Sequence, residues 1–127
     1  MQKTIIQSAD APQAIGAYSQ AVKAGNTVYI SGQIPLHPQT MQVVEGGFTK
    51  QAEQVFLNLA AIAKAAGSSL ADAVKLTVYL TDLDDFADLN QVMERHICEP
   101  FPARAAVQVA ALPKGVSIEI DAILCVN

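Results

Sequence analysis

Two charged side chains have unlikely neighbours for a charge. Arg104, one of two arginines, lies among Phe101, Pro102, Ala103, Ala105, Ala106 and Val107. Glu119 lies between Ile118 and Ile120. A guanidinium in apolar company is costly unless an anion meets it, and its planar fork takes a carboxylate bidentately. Spacing alone leaves that partner open: a carboxylate of the fold, or one carried by a ligand. A mid-strand glutamate is usually solvated; its chemical use is as a general base or a holder of water. Tyr18 and Ser31 are neutral polar groups that also suit an ordinary sheet. Gly32 allows close approach to backbone N–H groups. Phe86 fits a core, but Asn90, one turn later on the same helix face, needs hydrogen-bond partners if buried.

Other chemistries lack their residues. There is no GxGxxG or GxxxxGK[ST] to cradle a phosphate, and no GxSxG nucleophile motif. His37 and His96 stand far apart without HExxH or cysteine-spaced partners, so no metal site is expected. Asp82, Asp84, Asp85 and Asp88 lack the spacing and glycine of a calcium loop; they suit a helix start, where the dipole favours carboxylates. Twelve acidic against eight basic residues give a net charge of −4. With the lysines scattered, no nucleic-acid footprint is expected. Cys98 and Cys125 are isolated and read as reduced, partly buried thiols of a cytoplasmic protein. The N-terminal MQKTIIQSAD has no apolar leader region, and no run approaches the ~20 apolar residues of a membrane span.

The elements that would position these groups follow from periodicity. Strands are expected at 3–7, 17–22, 27–31 and 74–80, with a two-residue II′ turn at Gly25-Asn26. Helices are expected at 49–66, ended by Gly67, and at 83–97. In the first, Phe48, Ala52, Val55, Phe56, Leu59, Ile62, Ala63 and Ala66 recur at three and four. Val74, Leu76, Val78 and Leu80 face one way along their strand. From Ala103 onward, Ala103, Ala105, Val107 and Val109 alternate with a mixed face that carries Arg104. From Val116 the apolar face alternates with one that carries Glu119. A hairpin centred on Pro113-Lys114 would set Arg104 opposite Ile123, with Glu119 about four residues or roughly 13 Å along. A shared site would then need two subunits.

The expected fold is α+β: one domain over 1–127, a mixed sheet with both helices on one face. The other face has no element left to cover it. Only 16% of the residues are charged, against about 25% on average. Both features point to an oligomer formed through the sheet.

From end to end the chain resembles the RidA/YjgF (YER057c/UK114-type) proteins. The matching segments are IGAYSQAV from Ile15, ISGQIP from Ile30, DLDDFADLN from Asp82 and FPARAAVQVAALPKGVSIEI from Phe101. The resemblance implies a chorismate-mutase-like fold and a homotrimer whose sheets face a central barrel-like core. It implies sites in the clefts between subunits. It also implies hydrolysis of reactive enamines and imines, such as 2-aminoacrylate and 2-iminopropanoate, to 2-oxo acids and ammonia. Pyridoxal-phosphate-dependent dehydratases would supply these intermediates; the protein itself would need no cofactor or metal. By motif position Arg104 would bind the substrate carboxylate and Glu119 would position the hydrolytic water. Tyr18, Ser31, Gly32, Phe86 and Asn90 match pocket positions. Three departures stand out: Ala17 where many members have Pro, His37 and Met41 in a loop where Asp or Asn, and Gly, are common, and Ala106 where some members with this activity have Cys. The last leaves the preferred substrate open. Two rival functions remain: a 2-oxo-acid-binding or regulatory protein without turnover, and an endoribonuclease, which the acidic charge disfavours.

Overall fold

The computed structural model describes residues 2–126. Six strands form one sheet: β1 (Lys3–Ile6), β2 (Ala21–Ala24), β3 (Thr27–Gln33), β4 (Ala73–Leu80), β5 (Ala103–Gln108) and β6 (Ile118–Cys125). Their order across the sheet is β1-β2-β3-β6-β4-β5. All pairs are antiparallel except β4 and β5. The two long helices, α1 (Phe48–Ala65) and α2 (Phe86–His96), pack on one face. This is the expected α+β arrangement, and among the described residues no helix is long and apolar enough to cross a membrane.

The core follows the two periodicities. Ala52, Val55, Phe56, Leu59, Ile62 and Ala63 of α1 are buried at the three-and-four spacing of one helix face. They cover Ile118, Ile120, Ala122 and Leu124 of β6 and Leu76, Val78 and Leu80 of β4, which alternate with residues on the open face. Gly67 ends α1 with φ 76°. The Ser68 N–H donates to the Ala63 carbonyl and the Gly67 N–H to that of Lys64, a Schellman closure at the expected C′ glycine. At the β2–β3 turn Ala24 pairs with Thr27, and Gly25 takes φ 60°, as a II′ turn requires of its first position.

Five expectations need correction. β2 begins at Ala21, not Ala17. The segment before it is committed to the N-terminal loop: the buried Gln20 side chain accepts from the Ser8 N–H and donates to the Ser8 and Pro12 carbonyls. The second helix opens with a separate 3-10 turn at Leu83–Asp85, where the Asp82 side chain accepts from the Asp84 N–H. Val74 is 45% exposed, because a register shift between Ala73 and Lys75 turns it off the buried row. Cys98 and Cys125 are both exposed.

The fifth correction bears on the site. β5 and β6 do not form a hairpin, since β4 lies between them. Their connection arches over the end of β4: the Val109 N–H donates to the Leu80 carbonyl and the Thr81 N–H to that of Ser117. β5 reaches its place as the parallel partner of β4 through α2, the usual crossover for a parallel pair. Arg104 then pairs with Leu76 and Ala106 with Val78, so the mixed face of β5 turns toward the helices. Ala103, Ala105 and Val107 are exposed on the open face beside Lys75, Thr77 and Tyr79. Glu119 pairs with Tyr79 on that open face.

Candidate functional site

The strand register divides the expected site residues between the two faces of the sheet. Arg104 and Glu119 are two strands and three residues apart, about 14 Å between Cα positions at ordinary sheet spacing, and they point opposite ways. The separation expected from a hairpin survives for a different reason.

Arg104 is held from α2. Its Nη1 donates to Asn90 Oδ1 at 2.7 Å and approaches Met93 Sδ at 3.5 Å. Its guanidinium carbon stands 4.9 Å from the centre of the Phe86 ring. Phe86, Asn90 and Met93 lie three and four residues apart, so one helix face presents an aromatic ring, an amide oxygen and a thioether together. Each contact orients the fork without neutralising it. Among the described residues the ion pairs join Arg95 and His96 to Glu53, and none reaches Arg104. The arginine borders a cavity of about 380 Å³, shared with Asn90, Met93, Glu94, Phe101 and Pro102. Of the two partners the sequence left open, a carboxylate of the same protomer is therefore not the one seen. Ala106 is the next residue on this face of β5 and packs partly buried against the core.

Glu119 gathers a second group. A Cβ added to Gly32 would stand 2.3 Å from Glu119 Oε2, so the carboxylate lies directly over the glycine. Gly32 is not among the glycines with positive φ; it is needed here for space rather than for backbone freedom. Burial raises the proton affinity of Glu119 above that of an ordinary carboxylate, and the nearby Asp121 charge adds to it. Tyr79 donates its hydroxyl to Asp121 Oδ2 at 3.0 Å, and this bond is the first cause of its raised pKa. A carboxylate with raised affinity is better suited to taking a proton from water.

Ser31 and Tyr18 complete this side. The Ser31 hydroxyl donates to the Ser19 carbonyl at 2.6 Å, and the Tyr18 oxygen accepts from the Ile15 N–H at 3.3 Å. Tyr18 and Gly32 line a cavity of about 340 Å³ with Ile34, Leu36, Met41 and Lys114. Sequence reasoning gave no role to Gln20 or Asn58, and gave Lys114 only a place in a turn. Asn58 is fully buried on the apolar face of α1, and its Nδ2 donates to the carbonyls of Ile34 and Leu36. An amide interrupting an otherwise apolar stripe was the available signal. Among the described residues no three His, Cys, Asp or Glu side chains are grouped to hold a metal ion.

The chain has relatives whose likeness extends over nearly its whole length. The sequence profile of the family described as Endoribonuclease L-PSP matches residues 8–126. A RutC family protein of Pyrococcus horikoshii is 51% identical over 121 residues, 95% of this chain and 96% of that protein. The 2-iminobutanoate/2-iminopropanoate deaminase of Bos taurus is 50% identical over 121 residues, 95% of this chain and 88% of that protein. The crystal structure of RidA from an Antarctic Psychrobacter superposes with a TM-score of 0.94 at 61% identity, covering 97% of this chain and 99% of that one.

Proposed function

Because the chain belongs to the Endoribonuclease L-PSP family, the RidA/YjgF proteins, we propose that it hydrolyses 2-imino acids and their enamine tautomers to 2-oxo acids and ammonia. The observation that carries this reading is Arg104: a guanidinium oriented by Asn90 and Phe86, bordering a cavity, with no carboxylate bound to it among the described residues. A substrate carboxylate satisfies it bidentately. An imine carbon is already electrophilic, so no covalent nucleophile is called for. Arg104 aligns the substrate. Glu119 holds a water and takes its proton as the oxygen adds to the carbon. The resulting carbinolamine collapses to the 2-oxo acid as its nitrogen leaves as ammonia.

The two groups lie on opposite sheet faces, which supports a cleft built from two subunits of a homotrimer, each a single domain. Substrate would come from pyridoxal-phosphate-dependent dehydratases acting on serine or threonine in the cytoplasm, with no cofactor in this protein. The family's endoribonuclease description finds no support in the charge, with acidic residues exceeding basic ones by 12 to 8.

The test is release of ammonia and 2-oxo acid from 2-aminoacrylate generated by a serine dehydratase, with and without the protein. The wild type should accelerate release. Arg104→Ala and Arg104→Lys should each lower kcat/KM by about 10²-fold or more, because a point charge does not replace the fork. Glu119→Gln should still bind a 2-oxo acid and lose rate. Circular dichroism and sizing should be unchanged for all three. Binding of 2-oxo acids by the wild type with no acceleration would overturn the enzyme reading in favour of a binding protein. Normal turnover by Arg104→Ala would remove its anchor.

A further inference from the structure

Two non-glycine residues among the described ones have left-handed backbone: Met41 at φ 59° and Lys114 at φ 57°. They are 73 positions apart in the chain, yet both line the cavity of about 340 Å³ that contains Tyr18 and Gly32. A residue with a Cβ is strained there, and such strain persists where surrounding structure over-determines it. For Met41 the surroundings are explicit. Its N–H donates to the His37 carbonyl at 2.8 Å, the His37 N–H to that of Gln42 at 2.9 Å, and the Val44 N–H to that of Pro35 at 3.0 Å. Beneath them the buried Asn58 amide fixes the Ile34 and Leu36 carbonyls at 3.3 and 3.1 Å. A turn of this shape is served without strain by glycine. Methionine keeps the strain and adds a half-buried, adaptable apolar side chain to a wall already made of Ile34, Leu36 and Pro113.

We infer that Met41 is a specificity-determining residue: it closes the apolar end of this cavity and limits the protein to 2-imino acids with short apolar side chains. The inference rests on the proposed deaminase reading, in which Glu119, whose carboxylate lies over Gly32 of this cavity's lining, holds the water. Substrate carbon beyond the imine then extends toward Ile34, Leu36 and Met41. In such a pocket each methylene is discriminated by roughly ten-fold or more.

The experiment compares wild type, Met41→Ala and Met41→Gly on the imines that an L-amino-acid oxidase forms from alanine, 2-aminobutyrate and leucine. Calorimetric titration with pyruvate and 4-methyl-2-oxopentanoate gives the same comparison without turnover. The leucine-to-alanine ratio of kcat/KM should rise about ten-fold or more in both variants, and the Kd of 4-methyl-2-oxopentanoate relative to that of pyruvate should fall correspondingly. Met41→Gly should also melt above Met41→Ala, since only glycine accepts the turn without strain. Unchanged size preference in both variants, with an active wild type, would make Met41 a loop residue and overturn the inference. A wild type that hydrolyses no imine would overturn the deaminase reading instead, and the Kd ratios would then decide for or against Met41.

Discussion

Gly32 and Glu119 form a pair in which one residue exists to make room for the other. The added Cβ of alanine would meet Oε2 at 2.3 Å and Cδ at 2.9 Å, distances at which something must move. The atoms in the way are the far end of a flexible side chain, so the fold has an inexpensive escape: Glu119 rotates aside. Gly32 needs no left-handed backbone, so alanine adds no strain of its own. Gly32→Ala should therefore keep its melting temperature within a few degrees of wild type while losing about 10²-fold in kcat, the scale of a 1 Å misplacement of a reacting group. Steady-state rates beside a thermal melt check this. A large loss of stability with normal kcat per folded molecule would show that Glu119 is not the group displaced.

At the scale of elements, α2 holds Arg104, and α1 holds α2. Besides apolar packing, Glu53 of α1 meets both Arg95 and His96 at the end of α2, and His96 stacks on Phe56 with ring centres 5.3 Å apart. The hydrogen bond from His96 is the first cause that lowers the Glu53 pKa, burial opposing it and Arg95 assisting. A carboxylate held below its usual pKa contributes stability above the unfolded value, and that contribution is lost as pH falls through the folded one. Glu53→Gln should cost about 1 kcal/mol near neutral pH, the upper range for a partly exposed pair. The difference from wild type should shrink as the solution is acidified through the carboxylate range. Urea titrations at a series of pH values measure it; a pH-independent difference would mean that packing, not charge, is what the substitution removes.

Much of this architecture was legible locally. The α1 stripe, its Gly67 stop and the Gly25 turn are fixed by neighbours in sequence, and each stands where periodicity puts it. The insertion of β4 between β5 and β6 was not legible, because a Pro-Lys-Gly turn between two alternating segments looks the same whether the strands meet or a third lies between them. Only the parallel partnership of β4 and β5 decides that, and it is a non-local choice made through α2. The same choice turned Arg104 toward the helices and left Ala103, Ala105 and Val107 outside. The strained backbone of Met41 and Lys114 was legible only in part: Met41 stood out where Gly is common and Lys114 was placed in a turn, but the type of a residue with a Cβ does not fix the sign of its φ.

At the scale of the whole molecule, one sheet face is covered by helices and the other is not. Tyr29 is 51% and Val107 43% exposed, Ala103 and Ala105 lie beside Val107, and few charges are available to solvate such a surface. In the proposed homotrimer that face is covered by neighbouring subunits, and each cleft joins Arg104 of one copy to Glu119 of the next. A head-to-tail interface of this kind closes into a ring and makes a prediction that a one-protomer site does not share. Arg104→Ala and Glu119→Gln are each expected to be inactive alone. Unfolded together in equal amounts and refolded, they should form mixed trimers. A working cleft needs the Glu119→Gln copy to supply Arg104 and the Arg104→Ala copy to supply Glu119. Random assembly provides this at about one cleft in four, so activity should return to about a quarter of wild type. Each variant refolded alone should stay inactive, and sizing should give a trimer throughout. If the mixture stays as inactive as its parents while native mass spectrometry resolves mixed trimers, Arg104 and Glu119 do not act across an interface. Sizing at the mass of a single chain would remove the trimer itself.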